Sequence, residues 1–288
     1  MPMEVTGPFC LQLSQAFSPS SIYPYAEDST IHLPRILCLH GGGTNARIFR
    51  MQCRVLERTL RSTFRLVYAQ APFPAQPGPD VTSVYQNFGP FKGWLQATAQ
   101  AHEYSAQNVA EQIHDSVTAA RCADNLLGAT GQFVGLLGFS QGAKIAASIL
   151  FAQQYGMALS GGQCDWPGLR FAVLLAGRGP LVWLTPQAPM PHGVVDPTSP
   201  AMLMQQPFLA DDSDEHILRL PTIHVHGLND PGIDLHRELL NQYCDPNSAT
   251  LLEWEGAHSV PIKTKDVKAV VERIYSVARE VGVLNLWR

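Results

Sequence analysis

An α/β fold, a mostly parallel sheet flanked by helices, is predicted by three features of this chain. Short continuous apolar runs alternate with segments whose apolar residues recur at helical spacing. No internal repeat or low-complexity tract interrupts that rhythm. A Gly-x-Ser-x-Gly pentapeptide, Gly138 to Gly142, stands where one apolar run ends and a helical pattern begins.

The elements follow in order. Arg35 to Leu39 reads as a short buried strand. Thr44 or Asn45 then caps a helix carrying Ile48, Met51, Val55 and Leu56 on one face. Phe64 to Ala69 is the next strand, and Ser105 to Leu127 a long helix with Val109, Ile113, Val117 and Ala120 in register. Phe133 to Leu137 precedes the serine as a strand, and Gln141 to Gln154 follows it as a helix. Further strands are expected at Phe171 to Leu175, Thr222 to His226 and Thr250 to Trp254, with helices at Leu235 to Tyr243 and Asp266 to Val281.

Two stretches break the pattern, 71–104 and 178–219. Each is rich in proline and follows a strand. Loops of this length are uncommon in a compact domain unless they do something. Both should emerge at the carboxyl edge of the sheet, where open α/β sheets bind ligands. Their aromatic content argues for a lid or pocket wall, with Phe73, Phe88, Phe91, Trp94 and Trp183 as the expected lining.

Composition bounds the rest. With 288 residues, 45% hydrophobic and 15% charged, the chain suits one large domain, 1–288, with a substantial core. A net charge of −4 and no evident lysine or arginine cluster argue against nucleic acid or an anionic membrane as partner. The amino terminus lacks the basic and apolar regions of a secretory signal, and no apolar run approaches the roughly 18 residues needed to span a bilayer. Six scattered cysteines (Cys10, Cys38, Cys53, Cys122, Cys164, Cys244), without a Cys-x-x-Cys pair, read as reduced thiols. Cys38 is expected as a small buried hydrophobe. A cytoplasmic location is the expectation these features share.

The chemistry starts at Ser140. A strand ending at Gly138 and a helix starting near Gln141 force a sharp turn, which lifts the hydroxyl out of the sheet. The pentapeptide alone is weak evidence, and a helix N-cap is the bland alternative. A serine hydroxyl is a poor nucleophile at neutral pH, so it needs a base in reach and a third group to orient that base. Asp230 and His258 each follow a predicted strand, in the chain order Ser, Asp, His. Asp230 could instead be a turn residue before Pro231, with Asp234 the competing acid, and His258 could be a surface histidine. His224, His226, Asp230 and His236 faintly resemble a metal site without a clustered fourth ligand.

An oxyanion also needs donors. The backbone N–H of Gln141 lies at a helix start, and the run Leu39-His40-Gly41-Gly42-Gly43-Thr44 can bring a second close. Gly42 is the choice, with Gly41 and Gly43 as alternatives and His40 pinning the loop. A phosphate-binding reading of this run fails on spacing, since no Lys-Ser/Thr ending and no Gly-x-Gly-x-x-Gly is present.

From Arg35 onward these segments resemble the fungal serine hydrolases of the FSH family, within the α/β-hydrolase superfamily. The likeness rests on Leu-Cys-Leu-His-Gly-Gly-Gly-Thr-Asn, Ala-Pro-Phe-Pro-Ala-Gln-Pro-Gly-Pro, Leu-Gly-Phe-Ser-Gln-Gly-Ala, Phe-Ala-Val-Leu-Leu-Ala-Gly and the segments around Asp230 and His258. The resemblance implies an α/β-hydrolase fold and Ser140, Asp230 and His258 as triad. Within the family the chain is similar to lovastatin-type polyketide-releasing thioesterases and citrinin-pathway hydrolases. That implies an ester or thioester of a polyketide or fatty-acyl-like chain as substrate, the acyl carrier domain of a polyketide synthase as partner, and no cofactor or metal. The same acyl-enzyme could serve an acyltransferase or cyclase. A non-catalytic binding protein would ordinarily have lost a triad member, and none is missing.

Overall fold

The structure is a computed structural model and describes residues 28–78, 81–96, 104–160, 168–199 and 214–284. Six strands form one parallel sheet: β1 (Arg35–Leu39), β2 (Arg65–Ala69), β5 (Phe133–Phe139), β6 (Phe171–Leu175), β7 (Thr222–Gly227) and β8 (Ala249–Trp254). Their order is β2-β1-β5-β6-β7-β8. Every ladder is parallel, β5 pairing with β1 on one side and β6 on the other. The strand carrying Ser140 therefore lies inside the sheet, and all strand ends that bear functional residues share one edge.

Side-chain alternation along buried strands splits the core into two layers. Leu37 and Leu39 join Leu136, Ile113 and Ile145 on one face, where α4 (Ala106–Leu126) and α5 (Gln141–Ser160) pack. Ile36 and Cys38 face the other way, toward Phe49, Leu137 and Val173. There α7 (Thr264–Glu280) lays down Val267, Val270, Val271, Ile274 and Val277 at helical spacing. Each such aliphatic side chain contributes roughly 1.5–3 kcal/mol on full burial.

The helix expected from Asn45 onward is two helices, α1 (Ala46–Gln52) and α2 (Arg54–Leu60), interrupted at Cys53 with φ −81° and ψ 2°. Asn45 caps the first, its side chain accepting the Ile48 N–H at 2.9 Å. The buried stripe is Ile48, Phe49, Leu56 and Leu60; Met51 and Val55 are only partly covered. No basic cluster is evident along the sequence, and the structure corrects that expectation. Arg47, Arg50, Arg54, Arg58 and Arg61 recur at three- and four-residue intervals and are all exposed on this helix pair. With Arg65 they line a groove of about 910 Å³ along edge strand β2.

The 71–104 stretch contains β3 (Phe73–Pro74), α3 (Thr82–Tyr85) and β4 (Lys92–Gly93), β3 and β4 forming a small antiparallel ribbon. Residues 79–80 and 97–103 of it, and 200–213 of the 178–219 stretch, lie outside the described residues, as do Cys10 and Cys164. The last helices are α6 (Ile233–Tyr243) and α7. Among the described residues no helix is long and apolar enough to cross a membrane.

Candidate active site

β5 runs directly into α5 with Ser140 as the hinge residue at φ 54°, a left-handed conformation uncommon for a non-glycine residue. The turn is held by the Ser140 N–H donating to Leu175 O at 2.8 Å. Flanking glycines are obligatory for packing. A Cβ on Gly142 would strike the backbone oxygens of Leu39 and His40, and one on Gly138 would strike Gly142 O and Ala143. The hydroxyl is thus aimed at the carboxyl edge by backbone geometry.

His258 arrives from the loop after β8, and Asp230 from the loop after β7. The two loops are stitched together by Leu228 N–H to Trp254 O and Asn229 N–H to Gly256 O, both 2.9 Å. His258 Nε2 lies 3.0 Å from Ser140 Oγ, and its Nδ1 lies 2.7 Å from Asp230 Oδ2. Asp230 is buried, whereas Asp234 is exposed in the first turn of α6. Of the two carboxylates, the structure brings Asp230 to the imidazole.

Burial alone would raise the Asp230 pKa. Hydrogen bonds from the Gly232 N–H (2.8 Å, to Oδ1), His236 and His258 outweigh it and hold the pKa down at about 2. Asp230 is therefore ionised across the physiological range. As a carboxylate it accepts only, so His258 presents Nδ1–H to it and leaves the Nε2 lone pair for the serine proton. The Phe139 ring flanks the imidazole, centroids 5.0 Å apart.

The glycine loop is built on His40. Its Nε2 accepts the Ala71 N–H at 3.0 Å, so its proton sits on Nδ1 and goes to Gly41 O at 2.8 Å. Burial pushes its pKa down to about 4, keeping it neutral. The β3–β4 ribbon braces the same loop: Gly43 N–H donates to Lys92 O, Lys92 N–H to Thr44 O, and Gly78 N–H to Gly43 O. Gly43, at φ 70°, admits no Cβ, which would meet Gln76 O and Gly78 N. Gly42 and the first turn of α5 face each other, the Gln141 side chain lying against Gly42 and its Oε1 accepting the Trp94 N–H at 2.7 Å.

The aromatic residues expected to line a pocket divide. Trp94 is wholly buried, its Nε1–H bonded to His40 O at 2.8 Å, so it supports the loop from beneath. Phe73 is buried in the core beside Tyr104. Trp183 packs against Phe151 and Tyr155 over α5, its indole N–H on Ala188 O. These three are structural, because a loop close to the sheet must bury its largest rings and pair their N–H groups. Phe88 and Phe91 stay half-exposed, Phe88 beneath the Arg47 guanidinium.

His236, weighed from the sequence only as a metal ligand, is instead in contact with the acid: its Nε2 lies 2.9 Å from Asp230 Oδ2. Donor atoms of Asp230, His236 and His258 all fall within 4.8 Å of one another, but they are engaged with each other in a hydrogen-bonded chain. His224 and His226 meet edge to face behind it in the core, ring centroids 5.9 Å apart.

The family model for "Serine hydrolase (FSH1)" matches residues 30–270. The chain belongs to the FSH1 serine hydrolase family. Its relatives include the esterase dbaE of Emericella nidulans, 62% identical over 90% of this chain and 96% of that protein. The esterase pigG of Monascus ruber is 56% identical over 90% of this chain and 97% of its own length, and the esterase citA of the same organism 46% over 88% and 96%. Among solved structures, an esterase from Rhizomucor miehei superposes with a TM-score of 0.51 at 15% identity, covering 90% of this chain and 77% of that one. That likeness concerns the α/β-hydrolase fold. The FSH1 chain is thus a hydrolase enzyme, and its identities place it among fungal esterases.

Proposed function

We propose that Ser140, His258 and Asp230 are the catalytic triad of an acyl hydrolase that cleaves an ester or thioester through an acyl-enzyme. The observation that carries this reading is the unbroken chain Ser140 Oγ–His258–Asp230, at 3.0 and 2.7 Å. In acylation, Ser140 Oγ attacks the substrate carbonyl as its proton passes to His258 Nε2. Asp230 keeps Nδ1–H in place and stabilises the imidazolium. The imidazolium then protonates the leaving alcohol or thiol, and water repeats the sequence to free the acid. The backbone N–H groups of Gln141 and Gly42 hold the oxyanion, supported by their juxtaposition and by the ribbon that fixes the glycine loop. No step calls for a metal or organic cofactor.

For the substrate we favour a polyketide or fatty-acyl-like chain of secondary metabolism, with Phe88 and Phe91 as its contacts, presented by the acyl carrier domain of a synthase. The 71–104 and 178–219 segments would wall the site. Support for a carrier comes from the arginine groove. It begins at Ala46, whose N–H is bonded to Gln70 next to the glycine loop, and runs away along β2. Carrier domains tend to be acidic, and although Glu57 pairs with Arg50 and Asp28 and Asp124 with Arg65, the remaining arginines leave this groove net positive.

The test is labelling by a fluorophosphonate. The wild-type enzyme should be modified on Ser140, and Ser140→Ala should lose both labelling and turnover of p-nitrophenyl butyrate. Labelling retained in that variant would end the assignment.

A further inference from the structure

Asp230 Oδ2 serves two imidazoles. His258 approaches from the loop after β8, and His236 reaches back from α6 at 2.9 Å. His236 is fully buried, its ring stacked on that of His258 with centroids 6.0 Å apart. Its second nitrogen, Nδ1, lies 3.0 Å from Gly177 O. Both neighbours of the ring are acceptors, so a neutral imidazole can satisfy only one. The carboxylate is the stronger acceptor and takes the proton on Nε2.

We propose that His236 is a positioning residue that donates Nε2–H to Asp230, fixes Oδ2 toward His258 and divides the carboxylate's charge between two imidazoles. This inference rests on the triad reading and extends it. Oδ1 is already held by the Gly232 N–H. With His236 on Oδ2, neither oxygen of the carboxylate is free to rotate away. The charge left for His258 is smaller, so its imidazolium is less stabilised than beside an unshared carboxylate.

Other groups face the ring as well. Arg178 crowds Gly232 from the loop after β6, with Lys144 of α5 behind it. His226 of β7 lies 5.6 Å away, ring to ring, whereas Arg237, next along α6, turns outward to pair with Glu253 at 2.8 Å. Burial and Arg178 both disfavour a charged His236, while Asp230 and Gly177 O favour it; burial prevails and lowers its pKa.

The sign of the test follows. Replacing His236 by Phe removes the donor and returns the whole charge to His258. The acid limb of kcat/KM for p-nitrophenyl butyrate should then move up by about one pH unit, with kcat at pH 7 about 10-fold lower. His236→Gln restores an N–H donor and should bring the limb back and recover most of kcat. A purely structural role would lower kcat in both variants without moving the limb.

Because the Phe variant could fail to fold, a second measurement uses the wild-type enzyme. Nitrogen-15 histidine NMR at pH 7.5 should show His236 protonated on Nε2, coupled to a low-field proton. A His236 found as the Nδ1–H tautomer, or an acid limb unmoved in His236→Phe, overturns the inference. The triad reading is tested apart from it: should Asp230→Asn be inactive while His236→Phe leaves the limb unmoved, only the role of His236 falls.

Discussion

Changing Asp230 to Asn tests the proposed triad at its least exposed member. Gly232 N–H needs an acceptor, so the amide oxygen takes the Oδ1 position and the NH2 turns toward the two imidazoles. The opposite orientation would leave the Gly232 N–H against another donor, an unmade buried bond worth about 1–3 kcal/mol. Facing an NH2, His258 must offer a lone pair at Nδ1, which moves its proton to Nε2. That proton then points at Ser140 Oγ, 3.0 Å away, and the base can no longer accept from the nucleophile. A wrong tautomer of this kind costs about 10⁴ in kcat, or about 5.5 kcal/mol at 1.36 kcal/mol per decade. The assay is the acylation burst with p-nitrophenyl butyrate at pH 8, with circular dichroism to verify the fold. If the variant keeps kcat within 100-fold of wild type, the tautomer argument is wrong.

Other consequences are as direct. Gly142→Ala should lower activity at least 10-fold and reduce the melting temperature by several degrees, since its Cβ meets Leu39 O and His40 O; unchanged activity and melting would contradict the tight elbow. Acid should destabilise the fold through its buried neutral histidines. Burial depresses His40 and His226 to about 4 and His224 to about 3, all below the ordinary imidazole value of about 6.5. The unfolded chain therefore binds more protons as pH falls from 6.5 toward 4, each group costing about 1.4 kcal/mol per unit. Urea midpoints should drop across that window and flatten above pH 7, whereas a constant midpoint from pH 7 to 4.5 would refute it. Finally, the double variant Arg54→Glu, Arg58→Glu should raise KM for an acyl-carrier thioester about 10-fold while leaving p-nitrophenyl butyrate kinetics within about twofold; equal effects on both substrates would remove the groove from the proposal.

Buried strands were the legible part of the fold, because an apolar run of about five residues is too short for a helix and has few alternatives. β1 and β6 have the bounds their runs predict, Arg35–Leu39 and Phe171–Leu175. The break at Cys53 was hidden because the apolar stripe continues across it, through Phe49, Leu56 and Leu60. Periodicity reports which face is buried and says little about whether the backbone between two turns stays helical. Ser140 and His258 could be nominated for the candidate site because each follows a strand in a short glycine-bearing segment. The arginine stripe was missed for a different reason: net charge sums over the whole chain, while a partner meets one face. Its spacing at 47, 50, 54, 58 and 61 was there to be read. His236 had a signal too. It lies six residues past Asp230, just inside α6, close enough for its ring to return to the loop the helix grows from.

The misplaced aromatics carry a further lesson about where specificity resides. An indole in a proline-rich loop looks like a pocket wall, but its N–H demands an acceptor, and Trp94 found one in the backbone of His40. That bond makes the inserted ribbon a brace for the glycine loop: Gly43, Thr44, Lys92, Trp94 and Gln141 form one connected set through Gly42's neighbourhood. The insertion is consequently committed twice, to holding the backbone from which Gly42 projects and, at Phe88 and Phe91, to whatever lies outside. Changes at the buried end should lower kcat for every substrate alike, because they disturb the loop that positions Gly42. Changes at Phe88 and Phe91 should re-rank substrates and spare the chemistry. On the proposed reading, the two ends of one short segment would separate the rate of the reaction from the choice of acyl chain.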